Sequence, residues 1–289
     1  MHHRHRQLCL YEISFVMLHV ILPTDFSDNS LHAGRYAARL LGVDEVSWTV
    51  VHMYLDADPT VTSWAGMAEE LYKAAMQGMQ DWESRLRADE VFKGAKLHCE
   101  VQYGPLTGVL NDLSAERGVD LVVMGTLGRT GSGILGSNAA AVVKHSRTPV
   151  LVVPAKARPG ATRRILFADD QRGVGEADAR MLLHIAKRTG AEVVLAHVLR
   201  HADELPDPRL VAKFGELFRA MPHRFASAEG KDIAGVIDLL AGKEQADMIA
   251  VMHRHAGFFE GLFRTSTAKR LALHTDVPLL VLQEGKAKA

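Results

Sequence analysis

Runs of consecutive apolar residues alternate with longer amphipathic segments along most of the chain. Runs such as DLVVMG (120–125) and PVLVVP (149–154) are typical of strands covered on both faces in a parallel sheet. The first half predicts strands at 18–23, 46–53, 97–103, 120–125 and 149–153. It predicts helices at 28–41, 63–93, 106–117 and 136–146. This alternation predicts a doubly wound α/β fold with a parallel sheet.

The long segment 63–93 has its apolar residues at helical spacing. One stripe of the predicted helix carries Leu71, Ala75, Met79, Trp82 and Leu86. Methionine and aromatic side chains at this spacing are typical of a packed core, so we assign them no function.

The order of segments in the first half is repeated once. HVILPTDFSDNS (19–30) is echoed by RRILFADDQRGV (163–174), and DLVVMGTLGR (120–129) by DMIAVMHRHA (247–256). The repeat predicts two domains of one fold, residues 17–154 and 163–289. Residues 155–162, which contain Pro, Gly and basic residues, are predicted to be a linker. Residues 1–16 are interpreted as an N-terminal extension rather than a signal peptide, since Glu12 interrupts their apolar run.

Composition narrows the class of protein. The 289 residues have a formal net charge of zero and are 47% hydrophobic, which predicts a soluble globular protein without general affinity for nucleic acid or anionic lipid. Cys9 and Cys99 predict neither a disulfide framework nor a zinc site and favour a reduced, intracellular setting. Beyond the N-terminus, no uncharged apolar run reaches the ~18 residues of a membrane span, so none is expected.

The stretch GSGILG (131–136) matches the dinucleotide-binding spelling G-x-G-x-x-G. That fingerprint follows a strand directly and needs an acidic residue about 20 positions later. Here six residues separate the end of DLVVM (120–124) from Gly131, and no Asp or Glu occurs between Asp120 and Asp169. We therefore interpret the match as coincidental. The chain also contains no P-loop, nucleophile elbow or HExxH motif.

A more general anion site remains compatible with this loop. Five glycines follow the strand, and Ser137 and Asn138 are suited to cap the next helix. Backbone N–H groups at a helix N-terminus bind phosphate, and Asp25, at the same sheet edge, is able to accept hydrogen bonds from a nucleoside. On residues alone, the alternative is a plain βα turn with Asp25 as a helix cap.

Several motifs together resemble the universal stress protein family: ILPTDFSDNSLHAGRYAARL, VVHM, DLVVMGTLGRTG and LGSNAAAVVKHSRTPVLVVP. The resemblance covers nearly all of 17–154 and, more weakly, 163–283. It implies a tandem of two five-stranded parallel α/β domains, similar to adenine nucleotide alpha hydrolases, that pair through their last strands. It also implies an ATP site, possible Mg²⁺ with the nucleotide, and contacts from Pro23, Thr24, Asp25, Met53, Gly125, Gly128, Arg129, Gly136, Ser137 and Asn138.

The sequence departs from the family pattern in two places. The family loop has nine residues between G-x-x-G and G-[ST], whereas only seven, Arg129 to Leu135, separate Gly128 from Gly136. In the second half, the letters match Asp169 to Asp25 and Val198 to Met53. The glycine pair, Gly125 and Gly128, is matched to His253 and Ala256, and Gly136-Ser137 is matched to Thr265-Ser266. These changes predict a degenerate second half that does not bind ATP in the family manner. His253, Arg254 and His255 are interpreted as a solvated loop, and the alternatives are an anion site or, for the two histidines, half of a metal site.

The resemblance and the residues together predict a cytoplasmic, nucleotide-binding stress protein. ATP is expected in the first half, the second half is expected to serve as a packing partner, and a homodimer of chains is compatible with the family. The loop offers no lysine or general base, so the protein is not expected to be an enzyme beyond slow ATP hydrolysis. The alternative is a nucleotide-independent scaffold that presents a surface to other proteins.

Overall fold

The computed structural model describes residues 17–54, 65–126, 136–168, 173–199, 207–254 and 277–285. Its strands are β1 (Leu18–Pro23), β2 (Val46–Tyr54), β3 (Lys96–Tyr103), β4 (Leu121–Gly125), β5 (Val150–Val153), β6 (Arg164–Ala168), β7 (Glu192–Leu199), β8 (His223–Glu229), β9 (Met248–His253) and β10 (Leu279–Gln283). Its helices are α1 (Asp28–Leu41), α2 (Ala65–Arg87), α3 (Leu106–Arg117), α4 (Ser137–His145), α5 (Glu176–Thr189), α6 (Pro208–Leu217) and α7 (Ile233–Lys243).

The ten strands form one sheet in the order β3-β2-β1-β4-β5-β10-β9-β6-β7-β8. Pairing is parallel within each half, and β5 and β10 pair antiparallel where the halves meet. Leu151 faces Leu280 at the centre of that junction. The order on one side of the junction mirrors the order on the other, which confirms the predicted pairing of the two last strands across a pseudo-twofold axis.

Helices cover both faces of this sheet. Alternate strand residues enter two separate cores: Val20 packs in a cluster with α1, α2, α5 and α6, whereas Ile21 packs in a cluster with α3, α4 and α7. A strand buried on both faces needs apolar side chains at consecutive positions, because its neighbours point to opposite sides. The predicted α/β fold class with two doubly wound halves is therefore confirmed.

The long helix ends earlier than the sequence predicts. α2 stops at Arg87, and a single 3₁₀ turn follows at Glu90–Phe92, because the Asp89 carboxylate accepts a hydrogen bond from the Val91 N–H at 3.0 Å. The predicted apolar stripe is correct for its last four residues, but Leu71 is 39% exposed. Burial of this stripe begins only at Ala75.

Candidate functional site

The carboxyl ends of β1, β2 and β4 meet at a cavity of about 180 Å³. In an open parallel sheet this edge is where ligands bind. The residues that line it come from the ends of the three strands, from the loops after β1 and β4, and from the first turns of α1, α3 and α4: Pro23, Thr24, Asp25, Ser30, His52, Met53, Leu106, Met124, Gly125, Thr126, Gly136, Asn138 and Ala139.

Seven of the ten residues predicted to contact nucleotide line this one cavity: Pro23, Thr24, Asp25, Met53, Gly125, Gly136 and Asn138. Ser137 lies between two of them but is not part of the lining. Gly128 and Arg129 lie outside the described residues. The fold thus brings together residues that are more than 100 positions apart in sequence.

The loop between β1 and α1 is held by its own polar groups. Thr24 is 6% exposed, and its hydroxyl accepts from the Phe26 N–H at 3.0 Å and contacts the Ser30 hydroxyl at 2.9 Å. The Asp25 carboxylate accepts from the Ser27 N–H at 3.1 Å. Ser27, not Asp25, is the N-cap of α1, since its side chain accepts from the Ser30 N–H. Asp25 therefore supports the loop without being the cap of the helix.

His52 lines the cavity although the motif comparison did not select it. Its Nδ1 lies 2.8 Å from the Thr24 carbonyl oxygen. A carbonyl can only accept, so Nδ1 carries the proton, and in the neutral ring Nε2 is then an acceptor. The repeat contains a signal for this residue, because VVHM in the first half and LAHV in the second both place a histidine before the family's backbone contact.

Gly125 ends β4 where that strand passes α1 closely. A Cβ built on it would lie 3.1 Å from the Asn29 carbonyl oxygen and 3.3 Å from its carbon. These are backbone atoms, which yield less easily than the end of a side chain. The close approach of β4 to the start of α1 therefore favours glycine here, since any larger residue would push the two backbones apart.

α4 points its N-terminus at the cavity. Gly136 is its N-cap, and the interpretation of Ser137 and Asn138 as capping residues is wrong, because both lie within the first turn. No side chain of the described residues caps this helix. The first N–H groups of a helix lack partners inside it and carry partial positive charge, so they are suited to an anion.

Strand pairing corrects how the two halves correspond. Asp120 and Asp247 precede β4 and β9, and the N–H of each donates to the strand beside it in the same way. Gly125 and Met252 each follow five residues later. Met252, rather than His253, therefore stands in the place of Gly125, as the echo of 120–129 at 247–256 implies letter by letter, and the match of Gly125 to His253 is wrong by one residue.

The first strand of each half also shows which residues correspond. Pro23 pairs with Val51, and Ala168 pairs with Ala196 at the equivalent point of the second half. Ala168 therefore stands in the place of Pro23, and the described register of this strand ends there. Asp169 and Asp170 lie outside the described residues, as do His255, Ala256, Thr265 and Ser266.

Buried side chains occupy the described part of this edge in the second half. Met252 is 1% exposed and belongs to the core. His253 and Arg254 are 6% and 4% exposed, so the interpretation of these two residues as a solvated loop is wrong. The His253 ring contacts the Gln283 amide oxygen at 2.9 Å, while the Arg254 guanidinium donates to the Glu284 carboxylate at 3.1 Å and to the Gly173 carbonyl.

Within the described ranges, no three His, Cys, Asp or Glu residues are grouped closely enough to hold a metal ion. Over the same ranges, no helix combines the length and the apolar character needed to cross a membrane.

Comparisons with known proteins agree with this architecture. The chain is 32% identical over 142 residues to a universal stress protein of Methanocaldococcus jannaschii, covering 46% of this chain and 80% of that protein. It is 22% identical to a universal stress protein of Mycolicibacterium smegmatis, covering 91% of this chain and 96% of that protein. The crystal structure of a universal stress protein from Archaeoglobus fulgidus superposes with a TM-score of 0.69 at 19% identity, covering 94% of this chain and 98% of that one.

A sequence model of the universal stress protein family matches this chain twice, at residues 17–154 and 161–283. The two matches fall on the two mirrored halves of the ten-stranded sheet. The chain therefore belongs to the universal stress protein family and carries two copies of its domain.

Proposed function

We propose that the cavity of the first half binds an adenine nucleotide, ATP in particular, and that binding serves regulation in a stress response. The observation that carries this proposal is the convergence of seven family-implied contact residues on a single cavity at the carboxyl edge of the sheet. Family membership supports the same assignment.

Each part of the cavity has a chemical role in this proposal. Asp25 accepts hydrogen bonds from the nucleoside, and Met53 contributes backbone groups at the end of β2. Pro23, Met124 and Leu106 provide apolar walls for the base. At about 180 Å³ the cavity is below the ~300–1,000 Å³ of pockets that enclose a whole ligand. We therefore assign it to the nucleoside, with the phosphates at the N-terminus of α4 and Mg²⁺ bound mainly by the phosphates.

The lining favours binding over catalysis. Among the described residues that line the cavity, Asp25 and His52 are the titratable ones, and lysine and arginine do not occur. Arg129, a contact that the family pattern implies, lies outside the described residues, and a single arginine does not make an ATPase. Phosphoryl transfer is catalysed mainly by cations placed around the transferred group. We propose that the protein acts through nucleotide occupancy and that any hydrolysis is slow.

In the second half we propose a structural role without ATP. The buried Met252 replaces Gly125, which passes α1 closely in the first half. Arg254, at the end of β9, donates a hydrogen bond to the Gly173 carbonyl in the loop before α5. One nucleotide per chain is then the expected stoichiometry.

A second candidate is a scaffold that works without nucleotide. The specific observation in its favour is the loop between Gly128 and Gly136, which is two residues shorter than the family's ATP pattern. A shorter loop brings fewer N–H groups around the phosphates.

Calorimetric titration of the purified protein with MgATP distinguishes these candidates. Saturable binding of one nucleotide per chain, abolished or strongly weakened in Asp25→Ala, supports the proposal. Absence of heat at millimolar MgATP would overturn it in favour of the scaffold, and two nucleotides per chain would show that the second half is also a site. Lys213→Ala, on the exposed surface of α6, is a control expected to bind as the unmodified protein does.

A further inference from the structure

The residue after Asp25 has a backbone conformation that is rare for its type. Phe26 has φ of +64°, in the left-handed region that side chains with a Cβ seldom adopt. Such conformations persist only where the surroundings hold them, and they are frequent at functional sites. The contacts of Phe26 show what holds it.

The Phe26 ring is held between the cavity and α2. On one side it stacks on the His52 ring, with centroids 4.2 Å apart and planes at 29°. On the other side its centroid lies 5.9 Å from that of the Trp82 ring of α2, and the ring packs against Gly78. A Cβ built on Gly78 would be 2.8 Å from Phe26 Cε2, closer than real Cβ contacts allow, and 3.2 Å from Cζ, which is tight. The missing side chain of Gly78 therefore makes room for this ring.

Two contacts of Phe26 would transmit a displacement of its ring to residues of the cavity. The ring packs on His52, whose Nδ1 donates to the Thr24 carbonyl, and the Phe26 N–H donates to the Thr24 hydroxyl. Asp25 lies between Thr24 and Phe26 in the chain, so both contacts lead to the backbone that carries its carboxylate. A second aromatic contact joins the cavity to α2. The ring of Tyr54, next to Met53, has its centroid 5.5 Å from that of Tyr72 of α2.

We infer that Phe26 is a positioning residue of the nucleotide cavity and that Gly78 couples α2 to it, so that nucleotide binding and the placement of α2 depend on each other. This inference rests on the proposed function. Coupling of this kind is reciprocal: whatever shifts α2 against Phe26 changes nucleotide affinity, and bound nucleotide restrains α2. Since Leu71 and Tyr72 of α2 are 39% and 44% exposed, α2 also presents apolar surface to solvent.

Gly78→Ala tests the coupling, with Gly215→Ala as its matched control. Gly215 lies in α6, the helix that occupies the place of α2 in the second half, and a Cβ there meets nothing within 4 Å. Both changes raise helix propensity alike, so only the contact with Phe26 distinguishes them. We expect MgATP affinity to fall roughly tenfold in Gly78→Ala, since overpacking a tight contact has effects of that order, and to stay unchanged in Gly215→Ala.

Phe26→Gly supplies the second variant, because glycine keeps the positive φ without its steric cost while removing the ring. We expect it to weaken binding, and we expect Gly78→Ala to have no further effect in its background. Equal losses from Gly78→Ala in both backgrounds would overturn the inference, as would unchanged affinity in the single variant while the unmodified protein binds MgATP.

Failure of the proposed function is recognised separately. If the unmodified protein does not bind MgATP, amide hydrogen exchange of the unliganded chain takes over the test. Faster exchange at residues 24–27 in Gly78→Ala than in Gly215→Ala supports the positioning role of the contact, and equal exchange overturns it.

Discussion

Asp120, which precedes β4, contacts β1 of the first half and α5 of the second, and we expect its removal to destabilise the fold. One carboxylate oxygen accepts from the His19 N–H at 2.9 Å, and the other accepts from Arg180 of α5, in the other half, at 2.7 Å. The Asp120 side chain is only 10% exposed, whereas that of Arg180 is 69% exposed. Asp247 has the equivalent place in the second half and accepts from the Arg164 N–H at 3.0 Å.

The expected magnitude follows from these exposures. Asp120→Ala removes a charged acceptor from a half-buried N–H, and a hydrogen bond of this kind contributes about 1.5–3 kcal/mol. The ion pair with Arg180 adds about 0–1 kcal/mol, because one partner is solvated and screened. Asp120→Ala should therefore lower the free energy of unfolding by about 1.5–4 kcal/mol, and Arg180→Ala by no more than ~1 kcal/mol.

Urea denaturation followed by far-ultraviolet circular dichroism measures both losses. Asp120→Asn keeps an acceptor oxygen for the His19 N–H and should fall between the two alanine variants. If Arg180→Ala costs as much as Asp120→Ala, the contact between the halves and not the N–H acceptor dominates, and the reasoning from exposure is wrong.

Two further predictions concern the cavity and pH. Gly125→Ala should lower unfolding stability by about 1–3 kcal/mol and weaken MgATP binding in calorimetry, because its Cβ meets Asn29 backbone atoms, whereas Gly242→Ala, with nothing within 4 Å, should do neither. Burial, with added repulsion from Arg188, lowers the pKa of His184 in the folded chain below its usual 6.5. The unfolded chain then takes up the proton first, so stability present above about pH 6.5 should decline as the pH falls through and below that value. The decline should be smaller in His184→Gln when unfolding is measured from pH 8 to 5, and identical slopes would contradict it.

Apolar periodicity was sufficient to predict most of the fold, because nearly every inner strand is buried on both faces. β1 is predicted at 18–23 and observed at Leu18–Pro23, and the same holds for α1 and α3. The end of α2 could not be predicted this way. Its apolar spacing continues past Arg87, while the competing hydrogen bond of Asp89 ends the helix.

The correspondence between the halves shows a different limit. Consecutive apolar residues of one strand resemble those of another at more than one offset, so letters alone allow a shift by one residue. Only pairing with neighbouring strands fixes the register, and a shift by one exchanges the faces of the sheet. This is why the echo of 19–30 at 163–174 sets Phe167 against Pro23, although strand pairing puts Ala168 in its place. His52 was missed for a related reason, because the motif identifies a backbone contact at Met53 and says nothing of the side chain before it.

Comparing equivalent positions of the two halves distinguishes residues that the fold requires from residues that a ligand requires. Both keep the aspartate before the fourth strand of the half, Asp120 and Asp247, whose carboxylates bind backbone N–H groups. Both also keep a histidine at the same register, His52 and His197, although buried side chains occupy the described edge of the second half. In the first half this histidine contacts the Thr24 carbonyl, a structural role that needs no ligand. Gly125 has no such counterpart, since Met252 replaces it. The residues that differ between the halves, more than those they share, therefore indicate where the proposed nucleotide recognition resides.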